Sequence, residues 1–244
     1  MENIKKRQEM MESVALAIFA KTIGKSPVKT RLAADIGTAA AEAFYQLSVA
    51  ATAEIVKAVK DSSQDSIIPY WALAEQEALN DPQWQAWQDF DSIWTGAGDL
   101  GMRLDHIYKN LRKKHDLVVI IGTDSPQLDP ALILDAIARL KQNQASCIIG
   151  PALDGGFYLF AAQIEIARTV WTQLRYSQHD TLAQLTRKLA PTPIILLDSK
   201  RDVDTIDDLP PLFASLTTNP SPLPAQQHLK TWLHTHLMNG YKRD

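Results

Sequence analysis

A run of apolar, β-branched residues that stops abruptly at Gly-Thr-Asp-Ser-Pro, VVIIGTDSPQL at positions 118–128, constrains this chain more than any other stretch. Short, continuously apolar and bounded by turn formers, it reads as a strand covered on both faces, the kind found inside parallel sheets. Asp124 then stands just past the carboxyl end of a strand, where open α/β sheets hold their ligands. A carboxylate in that place needs a partner. The partner is either a divalent cation carrying a phosphorylated ligand or the backbone amides of a tight turn, since Asp, Ser and Pro also favour turns.

The rest of the chain repeats the theme. Further strands are expected at 13–20, 67–73, 91–94, 146–150, 157–162 and 193–197. Between them lie segments of helical period. AAAEAFYQLSVAATAEIVKAVK follows Thr38 as its cap, and MRLDHIYKNLRKK follows GAGDLG. ALILDAIARLKQ follows Asp129 as cap with Pro130 in the first turn. Strands alternating with helices predict an α/β three-layer sandwich, a mostly parallel central sheet with helices on both faces. SCIIG and FYLFAA, joined by PALDGG, form either a hairpin or an added antiparallel element. Trp84 and Trp87 read as packing aromatics.

This pattern divides the chain into a charged lead-in over 1–13, one domain over 14–214, and a tail over 215–244. The tail combines a Ser/Thr/Pro-rich linker with a short amphipathic helix in which Leu229, Trp232, Leu233 and Leu237 share a face. That helix packs on the domain or, as the alternative, on a second subunit in a homodimer.

Bulk properties narrow the function. At 244 residues the chain can bury one full core. A net charge of −3 without basic blocks gives no reason to expect a nucleic acid partner, although a local basic patch can hold a nucleotide. The single cysteine, Cys147, cannot form an intramolecular disulfide, which fits the cytoplasm. Lys5, Lys6 and Arg7 before VALAIFA imitate a secretory leader, but the apolar run has only seven residues and Lys21 follows it. No run approaches the roughly 20 apolar residues of a membrane span.

Four segments carry candidate chemistry. No acidic residue lies between Glu12 and Asp35, yet Lys21, Lys25, Lys29 and Arg31 fall within eleven positions. With Gly24 among them, such a loop can fold around a diphosphate, or it is simply a solvated basic loop. The Walker A spacing is absent. GAGDLGMR puts glycines at a strand-to-helix junction, where Gly98 allows close backbone approach and Asp99 can accept from a base or ribose. Its literal match to G-x-G-x-x-G lacks the acidic residue of a dinucleotide fold. In PALDGGFYL, Asp154, Gly155 and Gly156 make either a plain hairpin turn or a substrate wall.

RDVDTIDDL gathers Asp202, Asp204, Asp207 and Asp208. Such a turn either caps the next helix or lends Asp204 to a metal shared with Asp124, because Mg²⁺ or Mn²⁺ is usually held by one or two carboxylates plus substrate phosphates. The histidines show no zinc spacing, and His228, His234 and His236 fall on the terminal helix as surface residues.

Taken together, AKTIGKSPVKTRLA, GDLGMRL, IGTDSPQL, GPALDGGFYL and DVDTIDDL resemble, in the same order and over about residues 14–210, the bacterial family of radical-SAM/selenodomain-associated transferases, type 1. That family is similar to the GT-A glycosyltransferase fold shared with sugar nucleotidyltransferases and cofactor guanylyltransferases. The resemblance implies that Lys21, Lys29, Thr30 and Arg31 line a nucleotide diphosphate pocket and that Asp124 binds Mg²⁺ or Mn²⁺. It also implies that Asp154, Gly155 and Gly156 face the second substrate. The expected activity is glycosyl transfer from a nucleotide sugar to an unknown acceptor, with Asp124, Lys29, Arg31 and Asp154 as its catalytic group. The alternatives are nucleotidyl transfer from a nucleoside triphosphate, with pyrophosphate release, and nucleotide binding without catalysis. The family's usual glycine two residues before Val-Lys-Thr-Arg is replaced by Ser26 and Pro27, and Asp124-Ser125-Pro126 stands where many GT-A enzymes carry Asp-x-Asp.

Overall fold

The computed structural model describes residues 13–85, 87 and 89–238. Apart from Ser13, the expected lead-in lies outside the described residues. In chain order the strands are β1 (Ser13–Ala20), β2 (Ser66–Leu73), β3 (Asp91–Trp94), β4 (Leu117–Gly122), β5 (Cys147–Pro151), β6 (Phe157–Ala162) and β7 (Ile194–Leu196). They form one sheet in the order β3-β2-β1-β4-β6-β5-β7. β1 pairs in parallel with β2 and β4, placing Ala17 opposite Tyr70 on one side and Ile120 on the other.

Both faces of the sheet are covered, which is why the central strands are apolar without alternation. Large and small residues nevertheless alternate along β1. Val14, Leu16 and Ile18 join a core with Val49 and Val56 of α2 (Thr38–Ser62) and Ile137 of α5 (Pro130–Lys141). Ala15 and Ala17 face the opposite core, where Tyr108 of α4 (Leu100–Arg112), Phe160 of β6 and Trp171 of α6 (Arg168–Thr172) pack ring against ring. Phe160 and Trp171 lie 4.8 Å apart, edge to face. Two alanines leave room for three rings, as close packing requires. Trp84, in α3 (Pro82–Gln85), is likewise a packing residue, 1% exposed and 4.7 Å from Trp71.

β6 is the one strand that runs against the others, paired with β4 and β5 around Phe160. The hairpin is therefore inserted into the sheet, with β6 lying between β4 and β5. Its turn reaches the same edge as the carboxyl ends of β1 and β4.

Several boundaries differ from expectation. The basic loop after β1 is cut short by α1 (Thr30–Ile36), whose N-cap is Lys29 in the left-handed region at φ 45 and ψ 44. Gly37, at φ 84, ends α1 and opens α2, so Thr38 is the first helical residue and not the cap. After β6 come two short helices, α6 and α7 (Thr181–Leu189). The linker contracts to residues 219–223, because 215–218 complete α8 (Leu209–Thr218).

The terminal helix, α9 (Pro224–Met238), packs on its own chain. Its Leu229 and Leu233 bury against Leu32 of α1, Phe44 of α2 and Leu212 and Leu216 of α8. Each such leucine contributes roughly 1.5–3 kcal/mol. His228 and His234 are exposed, while His236 stacks on Trp232. Among the described residues, no helix is long and apolar enough to cross a membrane.

Candidate active site

A cavity of about 830 Å³ opens at the carboxyl edge of the parallel strands, lined among others by Lys21, Lys29, Arg31, Asp124, Asp154 and Asp204. Three distant segments meet there. Lys29 comes from the end of the loop after β1, Asp124 from the turn after β4, and Asp204 from the loop after β7.

The left-handed backbone at Lys29 is uncommon for a residue with a side chain and costs on the order of 1 kcal/mol. It turns the ammonium inward, so that only 4% of the side chain is exposed. Nζ donates to Asp124 Oδ1 and to the carbonyl of Val203, and lies 3.6 Å from Asp204 Oδ1. Arg31, 70% exposed, reaches the other oxygen of Asp204 at 3.5 Å. The amide of Val203 donates to the carbonyl of Asp124 at 3.0 Å, which ties the two acidic loops together.

Two carboxylates thus converge on one cation-sized position. Their hard oxygens suit Mg²⁺ or Mn²⁺, provided that ligand oxygens and water complete the shell. No group of three or more metal-ligating side chains occurs among the described residues. The ammonium of Lys29 holds the converging position.

Beside this pair lies Asp202, whose Oδ1 accepts from Ser125 Oγ at 2.8 Å. Burial pushes its carboxyl up to about 7; Ser125 opposes this shift, while the nearby Asp124 and Asp154 charges add to it. In the sequence Asp202 is only one of an acidic cluster, because four like residues in seven positions carry no mark of which one turns inward.

The loop carrying Lys21 is held by groups that no local pattern announces. Tyr45 of α2 accepts from the Lys21 amide at 2.8 Å and donates to its carbonyl at 2.9 Å. The Thr22 amide donates to buried Glu75 at 3.0 Å, and Thr22 Oγ1 accepts from Trp84 Nε1 at 3.0 Å. Lys21 Nζ donates back to the Pro27 carbonyl at 3.3 Å. Lys25 faces Asp81 at 3.9 Å and does not line the cavity, whereas Thr30 does.

The glycine segments divide. Gly98 and Asp99 do not line the cavity. Asp99 instead caps α4, accepting from the Met102 amide at 2.9 Å, and a Cβ at Gly98 would stand 2.5 Å from Met102 Sδ. Local packing and capping account for both. Gly155 is also outside the lining: at φ 93, it lets the turn approach the backbone of His179, where a Cβ would sit 2.1 Å from the carbonyl oxygen. Asp154 and Gly156 do line the cavity, and Asp154 Oδ1 accepts from the Gly156 amide at 2.8 Å.

The fold matches solved structures over nearly its whole length. A protein from Desulfovibrio desulfuricans G20 whose structure bears the name "putative nucleotide-diphospho-sugar transferase" superposes with a TM-score of 0.76 at 23% identity, covering 92% of this chain and 98% of its own. A CMP:2-keto-3-deoxy-manno-octonic acid synthetase complexed with CTP gives 0.54 at 13% identity, covering 84% of this chain and 98% of its own. A cytidylyltransferase from Leptospira borgpetersenii gives 0.54 at 14%, covering 94% and 95%. At these identities the likeness establishes the fold, that of the nucleotide-diphospho-sugar transferases. No curated protein sequence matches the chain.

A family model does match, over residues 49–178, a stretch that carries the Asp124 turn and the Asp154 turn but not Lys29 or Asp204. Because the match spans just over half of the chain, the chain belongs to the family described as "Uncharacterized protein conserved in bacteria (DUF2064)".

Proposed function

We propose that the protein is a transferase that draws on a nucleotide-activated donor, a nucleotide sugar, and passes its glycosyl group to a separate acceptor. The observation that carries this reading is the convergence of Lys29, Arg31, Asp124 and Asp204 at one wall of a cavity large enough for such a donor. The family resemblance and the shared fold support it.

Lys29 and Arg31 pair with the diphosphate and offset the charge that develops on the departing nucleotide. Lys21 extends the same positive wall. Asp124 and Asp204 would hold Mg²⁺ or Mn²⁺ together with donor oxygens. When bound, such an ion neutralises negative charge on the leaving diphosphate. Asp154, exposed at the opposite turn, orients the acceptor.

One observation favours a second reading, nucleotidyl transfer to a phosphorylated acceptor with release of pyrophosphate. Pro126 stands where the second aspartate of an Asp-x-Asp pair would be, a pattern that resembles the cofactor guanylyltransferases, and the intervening Ser125 donates its hydroxyl to Asp202. The same cations serve that reaction.

A thermal-shift panel of UDP, GDP, GTP, CTP and nucleotide sugars, with and without Mn²⁺, separates the readings, because ligands of the native state raise its midpoint by mass action. A diphosphate response that needs Mn²⁺ and disappears in Asp124→Asn supports glycosyl transfer. Preference for a triphosphate, with pyrophosphate released on adding a phosphorylated acceptor, supports the second reading. If no nucleotide moves the midpoint, both fail.

A further inference from the structure

Gln226, in the first turn of α9, is 1% exposed. Its Nε2 donates to the carbonyls of Pro126 at 3.0 Å and Leu128 at 3.1 Å. Its Oε1 accepts from the Leu223 amide at 3.1 Å and from Asn219 Nδ2 at 3.4 Å. A primary amide has two donors and an oxygen with two lone pairs, so all of its capacity is in use. Burying an amide carries a desolvation cost that a leucine avoids. Packing α9 against the domain therefore does not by itself account for glutamine here.

What the amide holds is the far side of the loop that begins with Asp124. The near side is already stitched to residues 201–203. Val203 donates to Asp124, Ser125 to Asp202, and Gln127 Nε2 to the Arg201 carbonyl at 2.7 Å. The start of α9 is in turn fixed to α2, where Glu54 Oε2 accepts from the Ala225 amide at 2.7 Å.

We infer that Gln226 is a positioning residue: through the carbonyls of Pro126 and Leu128, the terminal helix sets the loop that presents Asp124 to Lys29. Its effect on donor binding rests on the transferase reading above, whereas the tether itself does not.

The test compares two full-length variants. Gln226→Met keeps length and apolar contact but removes the hydrogen bonds, while Leu229→Ala loosens the same helix at a fully buried residue away from the loop. Both lower the melting temperature. Amide hydrogen exchange is then read at Leu128, bonded to the Ser125 carbonyl, and at Val203, bonded to that of Asp124. At matched distance below the melting temperature, Gln226→Met should exchange about tenfold faster at both amides than Leu229→Ala, the size expected from the two hydrogen bonds lost to the loop. Equal exchange in the two variants overturns the inference. Should Gln226→Met not fold, Gln226→Ala, which admits water to the two carbonyls but offers it no side-chain partner at 226, gives the same comparison.

The second readout is the midpoint shift produced by UDP with Mn²⁺, expected to shrink in Gln226→Met and to persist in Leu229→Ala. If exchange quickens selectively while the UDP shift is unchanged, the tether stands and its link to binding falls. If wild type responds to no nucleotide, the transferase reading falls and exchange still decides the tether.

Discussion

Replacing Lys29 with methionine should have opposite effects on two ligands. The ammonium is almost wholly out of water, which costs several kcal/mol, and regains this through hydrogen bonds to Asp124 and Val203 and proximity to Asp204. The usual 3–5 kcal/mol for breaking a buried pair does not apply, because the side chains of Asp124 and Asp204 are 49% and 46% exposed and become hydrated once the lysine is gone. The expected loss of stability is about 1–2 kcal/mol, or roughly 2–8 °C in the melting temperature of a chain this size.

For a divalent ion the change runs the other way. The ion no longer has to displace an ammonium, and two carboxylates that converge without a cation attract it more strongly. About 1.4 kcal/mol would raise Mn²⁺ affinity tenfold in the absence of nucleotide. Nucleoside diphosphate affinity should fall about tenfold or more, since the donor loses a charge-assisted partner. Titration calorimetry with Mn²⁺ alone, then with UDP at saturating Mn²⁺, measures both. Mn²⁺ affinity unchanged or weakened in Lys29→Met would refute the idea that the ammonium occupies the cation position.

Two further predictions concern stability. His115 is buried between Ser13 Oγ at 2.6 Å and Tyr70 OH at 2.9 Å, and burial holds it down to about 4. An unfolded histidine binds its proton near 6.5, so stability should be complete above that pH and fall by about 2–3 kcal/mol as the pH drops toward 4. Asp202, raised to about 7, titrates in the opposite sense, so urea denaturation from pH 4 to 8 is best followed in Asp202→Asn. A flat profile there would contradict the account of His115. At Gly155, substitution by alanine places a Cβ against the His179 backbone at a positive φ, and should cost about 2–4 kcal/mol. A melting temperature within 2 °C or so of wild type would mean the turn has room to spare.

Most strands were legible because burial on both faces leaves an uninterrupted apolar run, as at 13–20 and 157–162, whose bounds match; 91–94 also matches, although Asp91–Trp94 is partly exposed. The insertion of β6 was not, because a hairpin reads the same in sequence whether it adds to an edge or enters a sheet. Lys29, Arg31, Asp124 and Asp204 do converge, since loop charge and strand-end position are local signals. Tyr45, Glu75 and Asp202 act through partners far along the chain, and their neighbours in sequence give no hint of it. Gln226 left one trace: it stands three residues before Leu229 and seven before Leu233, on the apolar face, where a glutamine is out of place.

The order in which the chain is made acquires significance from the way α9 and the loop after β7 close on Asp124. The ribosome completes β1, Lys29 and Asp124 long before Val203 and Gln226 exist, and the interval from Asp124 to Gln226 is about 5–20 s at ordinary elongation rates. At the start of that time β1 to β4 have been made, but Lys29 lacks the Val203 carbonyl and the Asp124 loop lacks both of its fastenings. Assembly of the site therefore waits until Val203 and Gln226 have been made.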